Sequence, residues 1–256
     1  MRQLQVVKIG TSSIFRNGAV DYAVLSNLGY DLAKLKTEKE TDSVLIVSGA
    51  IPLGMKEKGL TTKPNDPIEL QSCARVGQPL LMEIYTQGLR QGYEGYSQKK
   101  ENSLKLLTAQ YLVTYHNLDP TREIQNIAIG LRYDINRRII PLVNYNDGVD
   151  PTEVTRDNDN LAARLTKAII ADRLIILTDV DGLLDAGGNL VKRIREVNED
   201  VMSLCRSDSN GTGGMQTKLE AAALLLGENI PTIIGNIKYG LVELIENESI
   251  RTIFIR

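Results

Sequence analysis

The stretch "RLIILT", residues 173–178, is apolar at four consecutive central positions. Successive side chains of a strand point to opposite faces of its sheet, so a strand formed here would be apolar on both faces. Such strands are typical of parallel sheets that are covered by helices on both sides. The stretch therefore predicts a fully buried strand in a mainly parallel sheet.

Six further stretches have the composition of strands, and helical patterns separate most of them. The predicted strands are "LQVVKI" (4–9), "SVLIVS" (43–48), "SLKLLTAQYLV" (103–113), "RRIIPLV" (137–143), "IPTIIG" (230–235) and "IRTIFI" (250–255). Helices are predicted near 21–36, 67–89, 121–133, 158–170, 215–227 and 239–245. Two stretches, 53–67 and 91–102, look like polar loops rather than domain boundaries. This alternation predicts an α/β fold with three layers, and we expect one domain over residues 1–256.

The composition is that of an ordinary globular protein. Apolar residues make up 42% of the 256 positions, and the net charge of −2 gives no reason to expect nucleic acid or a membrane as a partner. No run approaches the roughly 18 apolar residues of a membrane span. Cys73 and Cys205 lack the spacing of metal ligands and predict reduced thiols in a cytoplasmic protein. The single histidine, His116, argues against a hydrolase triad or a histidine-rich metal site.

Small, polar or charged residues follow four of the predicted strands, in "VVKIGTSS" (6–13), "IVSGAIPLG" (46–54), "PLVNYNDG" (141–148) and "ILTDVDG" (176–182). Ligand sites of open α/β sheets form at the carboxyl ends of the strands, so these clusters are expected to share one rim. Each has a simpler interpretation. Lys8 could be an edge lysine that reaches water, Ser48 a helix cap, and Asp179 part of an ordinary turn rather than a contact to a ribose, a base or a metal.

The acid and amide residues are denser in "NYNDG" (144–148) and "RDNDN" (156–160). Asn and Asp favour turns and helix caps, which explains some of these positions but not all of them together. Such a cluster suits an ammonium group, ordered water, a metal, or the positioning of a catalytic lysine.

The stretch "GTGGMQTK" (211–218) resembles a phosphate-binding loop but lacks the P-loop pattern, in which glycine directly precedes the lysine. Thr212, Gly213 and Gly214 would still place backbone donors before a helix, and Lys218 could reach back over its N-terminus. That arrangement suits nucleotide phosphates. With Lys8, it would supply two cations to a transferring phosphoryl group, which needs charge stabilisation above all.

Seven ordered motifs resemble the amino acid kinase superfamily, and within it the glutamate 5-kinases most closely. They are "VVKIGTSS", "VSGAI", "VGQPLL", "NYNDG", "RDNDNLAA", "LTDVDGL" and "GTGGMQTKLEAA". The resemblance implies an αβα sandwich around a mainly parallel eight-stranded sheet, with the acceptor in the N-terminal half and the nucleotide in the C-terminal half. It also implies ATP-dependent phosphorylation of the side-chain carboxylate of L-glutamate, the first step of proline biosynthesis.

The resemblance also implies roles for particular residues. Lys8 and Lys218 would flank the γ-phosphate, and Asp159 would orient both lysines. Ser48, Asp147 and Asn158 would bind glutamate. ATP, with Mg²⁺ whose ligands are not assigned, would contact Lys8, Gly10, Thr178, Asp179, Thr212, Gly213, Gly214, Met215, Gln216, Thr217 and Lys218.

The chain departs from the family pattern at two places. Tyr145 stands where the family usually has an acid, and "LTDVDGLLDAGG" (177–188) lacks the usual tyrosine and Asp-Pro. We expect no C-terminal PUA domain. The family further implies a homo-oligomer, a dimer or tetramer, with proline as feedback inhibitor and delivery of the product to glutamyl phosphate reductase.

Elementary chemistry agrees with a carboxylate acceptor. The side-chain carboxyl of glutamate has a pKa of about 4.3, so it is already an ionised nucleophile at neutral pH and needs no general base. Asp147 could pair with the α-ammonium group, and N–H groups near Gly49 and Ala50 with the α-carboxylate. Aspartate, N-acetylglutamate, carbamate or a nucleoside monophosphate are alternative acceptors, and a sensor without catalysis is an alternative of another class.

Overall fold

The computed structural model describes residues 2–16, 19–101, 105–118, 122–149, 157–205 and 214–256. The strands are β1 (Gln3–Ile9), β2 (Phe15–Arg16), β3 (Ala19–Val20), β4 (Thr41–Ile46), β5 (Leu107–Val113), β6 (Ile139–Tyr145), β7 (Arg173–Thr178), β8 (Arg193–Ile194), β9 (Thr232–Asn236) and β10 (Arg251–Phe254). Eight of them form one sheet in the order β5-β6-β4-β1-β7-β9-β10-β8, while β2 and β3 form a separate hairpin. The sheet is parallel except where β9 meets β10.

Helices cover both faces of this sheet. They are α1 (Thr11–Ile14), α2 (Tyr22–Glu38), α3 (Ala50–Glu57), α4 (Pro67–Lys99), α5 (Arg122–Asn136), α6 (Asn158–Ala168), α7 (Glu199–Ser203), α8 (Met215–Gly227) and α9 (Leu241–Glu246). None of the helices in the described ranges combines the length and the hydrophobicity that crossing a membrane requires.

Two apolar cores lie on opposite faces of the sheet, because neighbouring residues of a strand point to opposite sides. Val6 of β1 packs in a cluster with residues of α5, α6 and α8, such as Leu131 and Leu161. Val7 packs in the other cluster with residues of α2, α3, α4 and α9, such as Leu25 and Leu81. The prediction of a three-layer α/β fold is confirmed.

The predicted loop at 91–102 is wrong, because α4 continues to Lys99, ten residues beyond its predicted end. The segment is locally polar, but Tyr93 and Tyr96 are buried and anchor the added turns. At 53–67, α3 continues to Glu57 and α4 begins at Pro67, so only residues 58–66 lie outside helix and strand.

The remaining boundaries follow the predictions closely. All seven predicted strands lie in the sheet, although β4 lies two residues earlier than predicted, β6 lies two residues later, and β5 begins at Leu107 rather than at residue 103. The two-residue strand β8 was not predicted, since two residues carry no periodic pattern. Helix α8 spans the predicted 215–227.

The four polar clusters do share one rim. Strands β1, β4, β6 and β7 are mutually parallel neighbours, so their carboxyl ends meet at the same edge of the sheet. Residues following all four strands line a common cleft of about 580 Å³.

Candidate active site

At the centre of the rim, one carboxylate holds two lysines. Lys8 Nζ lies 2.7 Å from Asp159 Oδ1, and Lys218 Nζ donates to Asp159 Oδ2 at 3.0 Å. The Thr217 hydroxyl also donates to Oδ2, at 3.1 Å. Asp159 is completely buried, and both lysines are nearly so. The arrangement fixes two positive charges on either side of a single negative one.

The two lysines and Asp159 come from three different elements. Lys8 is the penultimate residue of β1, whose neighbours on both sides are parallel strands. Asp159 lies in the first turn of α6, where the Asp157 side chain caps the helix by accepting from the Asp159 N–H at 2.9 Å. Lys218 lies one turn into α8 and folds back to within 3.4 Å of the Gly214 carbonyl oxygen, as predicted.

The two neighbouring carboxyl groups differ in their electrostatics. Burial would raise the pKa of Asp159, but the charges of Lys8 and Lys218 outweigh it and hold that pKa below its ordinary value. Burial raises the pKa of Asp157, and the nearby Asp159 carboxylate adds to this rise. Asp159 is therefore the partner of the two lysines that is ionised at neutral pH.

Beside this centre, Asn158 connects three chain segments. Its Nδ2 lies 2.6 Å from Ser48 Oγ, 3.1 Å from the Val47 carbonyl oxygen and 3.1 Å from Asn144 Oδ1. Ser48 is followed by Gly49, whose φ of 121° is one that residues with a side chain rarely adopt. A Cβ there would also lie 2.6 Å from the Phe15 ring. The turn thus starts α3 at Ala50 close to the cleft.

Gln78 extends this polar network and was not predicted. It lies on α4 and is buried, and its Oε1 accepts from Asn144 Nδ2 at 2.9 Å. A chain of hydrogen bonds therefore runs from Gln78 through Asn144 and Asn158 to Ser48. The motif "VGQPLL" contains this glutamine, but a single polar residue in a helical pattern gives no signal of such a contact.

On the other side of the cleft, β7 ends at Thr178 and Asp179 follows it. The Thr178 hydroxyl donates to Asp179 Oδ1 at 3.1 Å. Asn236, at the end of β9, donates to the Asp179 carbonyl oxygen at 2.7 Å and to Asp181 Oδ1 at 3.0 Å. These contacts fix the turn that follows β7.

The structure brings most of the predicted site residues to the cleft. Those that line it are Lys8, Gly10, Ser48, Gly49, Ala50, Asp147, Asn158, Thr178, Asp179 and Lys218. Residues that line it without having been assigned a role include Phe15, Met55, Lys63, Asn144, Tyr145 and Asp157.

The predicted nucleotide loop is only partly described. Thr212 and Gly213 lie outside the described residues, and Gly214 caps α8. Met215 packs on the apolar core, and Gln216 donates to Glu220 at 2.9 Å on the exposed side of the helix. Of the predicted residues in this helix, Thr217 and Lys218 contact the buried Asp159.

The site lies at the rim of a mainly parallel sheet, where three elements supply two lysines and one buried aspartate. Such a site is suited to phosphoryl transfer. The sequence profile of the Amino acid kinase family matches residues 3–236, and the chain belongs to that family. Within it, the chain is 33% identical to glutamate 5-kinase from Oenococcus oeni, over 97% of this chain and 94% of that protein. It is 35% identical to glutamate 5-kinase from Streptococcus suis over 91% of this chain, but this match spans only 64% of that protein.

Solved structures support the fold. Carbamate kinase from Giardia lamblia bound to AMP-PNP matches with a TM-score of 0.67 and 16% identity, over 100% of this chain and 99% of that one. N-acetylglutamate synthase from Neisseria gonorrhoeae, complexed with coenzyme A and L-arginine, matches with a TM-score of 0.70 and 16% identity, over 100% of this chain and 62% of that one. At these identities the likeness concerns the fold alone.

Proposed function

We propose that this chain transfers the γ-phosphoryl group of ATP to the side-chain carboxylate of L-glutamate. The products are L-glutamyl 5-phosphate and ADP, and the reaction is the first step of proline biosynthesis from glutamate. The observation that carries the proposal is the pair of buried lysines held by Asp159. The similarity to glutamate 5-kinases supports glutamate as the acceptor.

The reaction requires little covalent chemistry from the protein. An oxygen of the ionised side-chain carboxylate attacks the γ-phosphorus, and the bond from that phosphorus to the bridging oxygen of ATP breaks as ADP leaves. No proton has to be removed from the nucleophile. Lys8 and Lys218 stabilise the charge on the transferring group, and Asp159 keeps both ammonium groups in position before the substrates bind.

The acceptor would lie beside the network of Ser48 and Asn158. Both side chains line the cleft next to the two lysines, and their hydrogen bond at 2.6 Å fixes their relative positions. Asp147 would accept from the α-ammonium group. Thr178, Asp179 and the start of α8 would face the nucleotide, so that the two halves of the chain divide the two substrates between them.

Mg²⁺ would enter with ATP. In the part of the chain that the structure describes, no three acidic, histidine or cysteine side chains lie close enough together to hold a metal. The two separate carboxylates described next fit a Mg²⁺ that would be held mainly through the phosphates of ATP, as is common for nucleotide complexes. Asp157 and Asp179 line the cleft and would help to hold the ion there. When bound, the ion screens the charge of the phosphates.

Four finer expectations from the family resemblance belong to this proposal. They are a homo-oligomeric assembly, feedback inhibition by proline, transfer of the product to glutamyl phosphate reductase, and a cytoplasmic location.

The proposal is tested by measuring ADP release across an acceptor panel with hydroxylamine present, which traps an acyl phosphate as its hydroxamate. We expect glutamate to give the highest kcat/KM, above aspartate, N-acetylglutamate, carbamate and nucleoside monophosphates. A higher kcat/KM with any of these would reassign the acceptor. Binding of ATP and glutamate without any ADP release would indicate a sensor.

A further inference from the structure

Lys63 lies between α3 and α4 and lines the same cleft as Ser48 and Asp147. The segment containing it turns back beside α3, since the Leu60 N–H donates to the Met55 carbonyl oxygen at 2.8 Å. Met55 itself lines the cleft. The exposed Lys63 therefore lies on the wall of the cleft that α3 forms.

Both ends of this segment are fixed to the rest of the fold. At its start, Lys58 Nζ lies 2.6 Å from Glu69 Oε1 and 2.7 Å from Ser72 Oγ, both on α4. At its end, the Asp66 side chain caps α4 by accepting from the Ile68 N–H at 3.1 Å. These anchors hold Lys63 at the cleft rather than leaving its position to an unrestrained loop.

Lys63 differs from the other two lysines of the cleft in its charge partners. Two of the lysines that line it, Lys8 and Lys218, are held by Asp159. Within the described ranges, Lys63 makes neither an ion pair nor a hydrogen bond to a protein group. The aspartates that line the cleft, Asp147, Asp157 and Asp179, would repel an anionic acceptor.

Glutamate brings two carboxylates and one ammonium group into this field. If the side-chain carboxylate faces Lys8 and Lys218, as the proposed function requires, the α-carboxylate lies at the opposite end of the molecule. There the α-carboxylate needs a separate cation, because Asp147 is negatively charged and would pair with the ammonium group. We propose that Lys63 binds the α-carboxylate of the acceptor and thereby selects dicarboxylic acids. This assignment adds a side-chain cation to the N–H groups near Gly49 and Ala50.

The test has two parts: one removes the charge of Lys63 from the enzyme, and the other uses a ligand without the α-carboxylate. Lys63→Ala should raise the KM for glutamate about five- to twentyfold, with kcat and the KM for ATP changed less than twofold, as expected for one partly exposed charged hydrogen bond. The inhibition constant of 4-aminobutyrate, which lacks the α-carboxylate, should be the same for both enzymes. Glutarate, which keeps both carboxylates, should lose affinity for the variant as glutamate does.

Three further variants separate this role from a disturbed loop. Lys63→Arg should restore most of the affinity for glutamate. Thr62→Ala changes the neighbouring residue, and Lys105→Ala removes an exposed charge elsewhere; both should leave every constant unchanged. An unaltered KM for glutamate in Lys63→Ala would overturn the inference, and so would an equal loss of affinity for 4-aminobutyrate. A wild-type enzyme that forms no hydroxamate with glutamate would instead refute the proposed function.

Discussion

Asp159 places one lysine on each of its two oxygens, so the loss of either lysine leaves the site with unbalanced charge. We expect Lys8→Ala and Lys218→Ala each to lower kcat at least about a hundredfold, because removing a preorganised charge from a transition state costs roughly 3 kcal/mol. Steady-state ADP release measures this, with folding checked by circular dichroism. As a control, Lys167→Ala removes an exposed lysine that pairs with Glu228 and should leave kcat unchanged. Near-normal kcat in either site variant would remove that lysine from the mechanism.

The same carboxylate should control stability in acid. Asp159→Asn keeps the shape but leaves two buried lysines without a counter-charge, so the free energy of unfolding at pH 7 should fall by about 3–5 kcal/mol. The folded-state pKa of Asp159 lies below the ordinary 3.8, so its contribution is present above that pH and is lost as the pH falls through the lowered pKa. Denaturant titrations of both proteins should therefore still differ clearly at pH 5, although the size of the difference varies with pH because Asp159 also raises the pKa of Asp157. A difference that disappears between pH 7 and 5 would contradict this assignment.

Asp147 tests the acceptor independently of the nucleotide. If its carboxylate pairs with the α-ammonium group of glutamate, Asp147→Asn should lower kcat/KM for glutamate by roughly thirtyfold to a few thousandfold, the usual cost of truncating a buried charge pair. The KM for ATP should hardly change. Affinity for glutarate, which has no ammonium group, should not fall. Weakened ATP binding with normal saturation by glutamate would place Asp147 on the nucleotide side.

Single residues can be predicted where a charge stands near the end of a strand or in the first turn of a helix. Lys8, Asp159 and Lys218 stand in such positions, and the structure brings them together. Gln78 could not be predicted, because its contact to Asn144 joins residues 66 positions apart through the packing of α4 on β6. Lys63 could not be predicted either, since a lysine in a polar loop has many possible directions.

Helix α4 shows how strongly packing can override local composition. Its last ten residues are polar, yet they remain helical because α2 lies unusually close. A Cβ on Gly92 would lie 1.6 Å from the Ser26 carbonyl oxygen, whereas a Cβ on Gly95 would meet no atom within 4 Å. Gly29 and Gly88 lie at the same contact, where a Cβ would come within 2.1 Å and 2.5 Å of the facing helix, so the close approach depends on several glycines, of which Gly92 is the tightest.

This contact gives a matched pair of variants in one helix. Gly92→Ala should destabilise the protein by at least about 2 kcal/mol, since the obstructing atom belongs to a backbone that has to move. Gly95→Ala should be neutral or stabilise it by up to about 1 kcal/mol through helix propensity. Thermal or urea unfolding measures both. Equal effects of the two substitutions would show that the helices do not approach this closely.

Among the elements, α8 could be predicted to the residue because glycine and threonine precede an apolar run. The end of α4 could not be predicted, because the backbone atoms that require glycine at position 92 belong to α2. Strand β8 has two residues and, among the strands that the structure describes, pairs with β10 alone, so its place in the sheet depends on the rest of the fold.

For the molecule as a whole, the central strands join the two apolar cores. Adjacent residues of β1 and of β7 belong to opposite clusters, so neither core can be lost without disturbing the same strands. We expect one cooperative unfolding transition, with the calorimetric and van't Hoff enthalpies in agreement. Two transitions, of which ATP shifts only one, would contradict a single domain over residues 1–256.

The position of Lys8 in a central strand has a consequence for synthesis on the ribosome. Strand β1 is translated early, but its second neighbour, β7, and the helix that carries Lys218 follow far later. At about 5–20 residues per second, the roughly 210 residues that separate the two lysines take some 10 to 40 seconds to be made. Until β7 has been made, the nascent chain exposes an unpaired edge of β1, which can pair with other chains. If the proposed roles of Lys8 and Lys218 are correct, the emerging polypeptide transfers no phosphoryl group until α8, which carries Lys218, has left the exit tunnel.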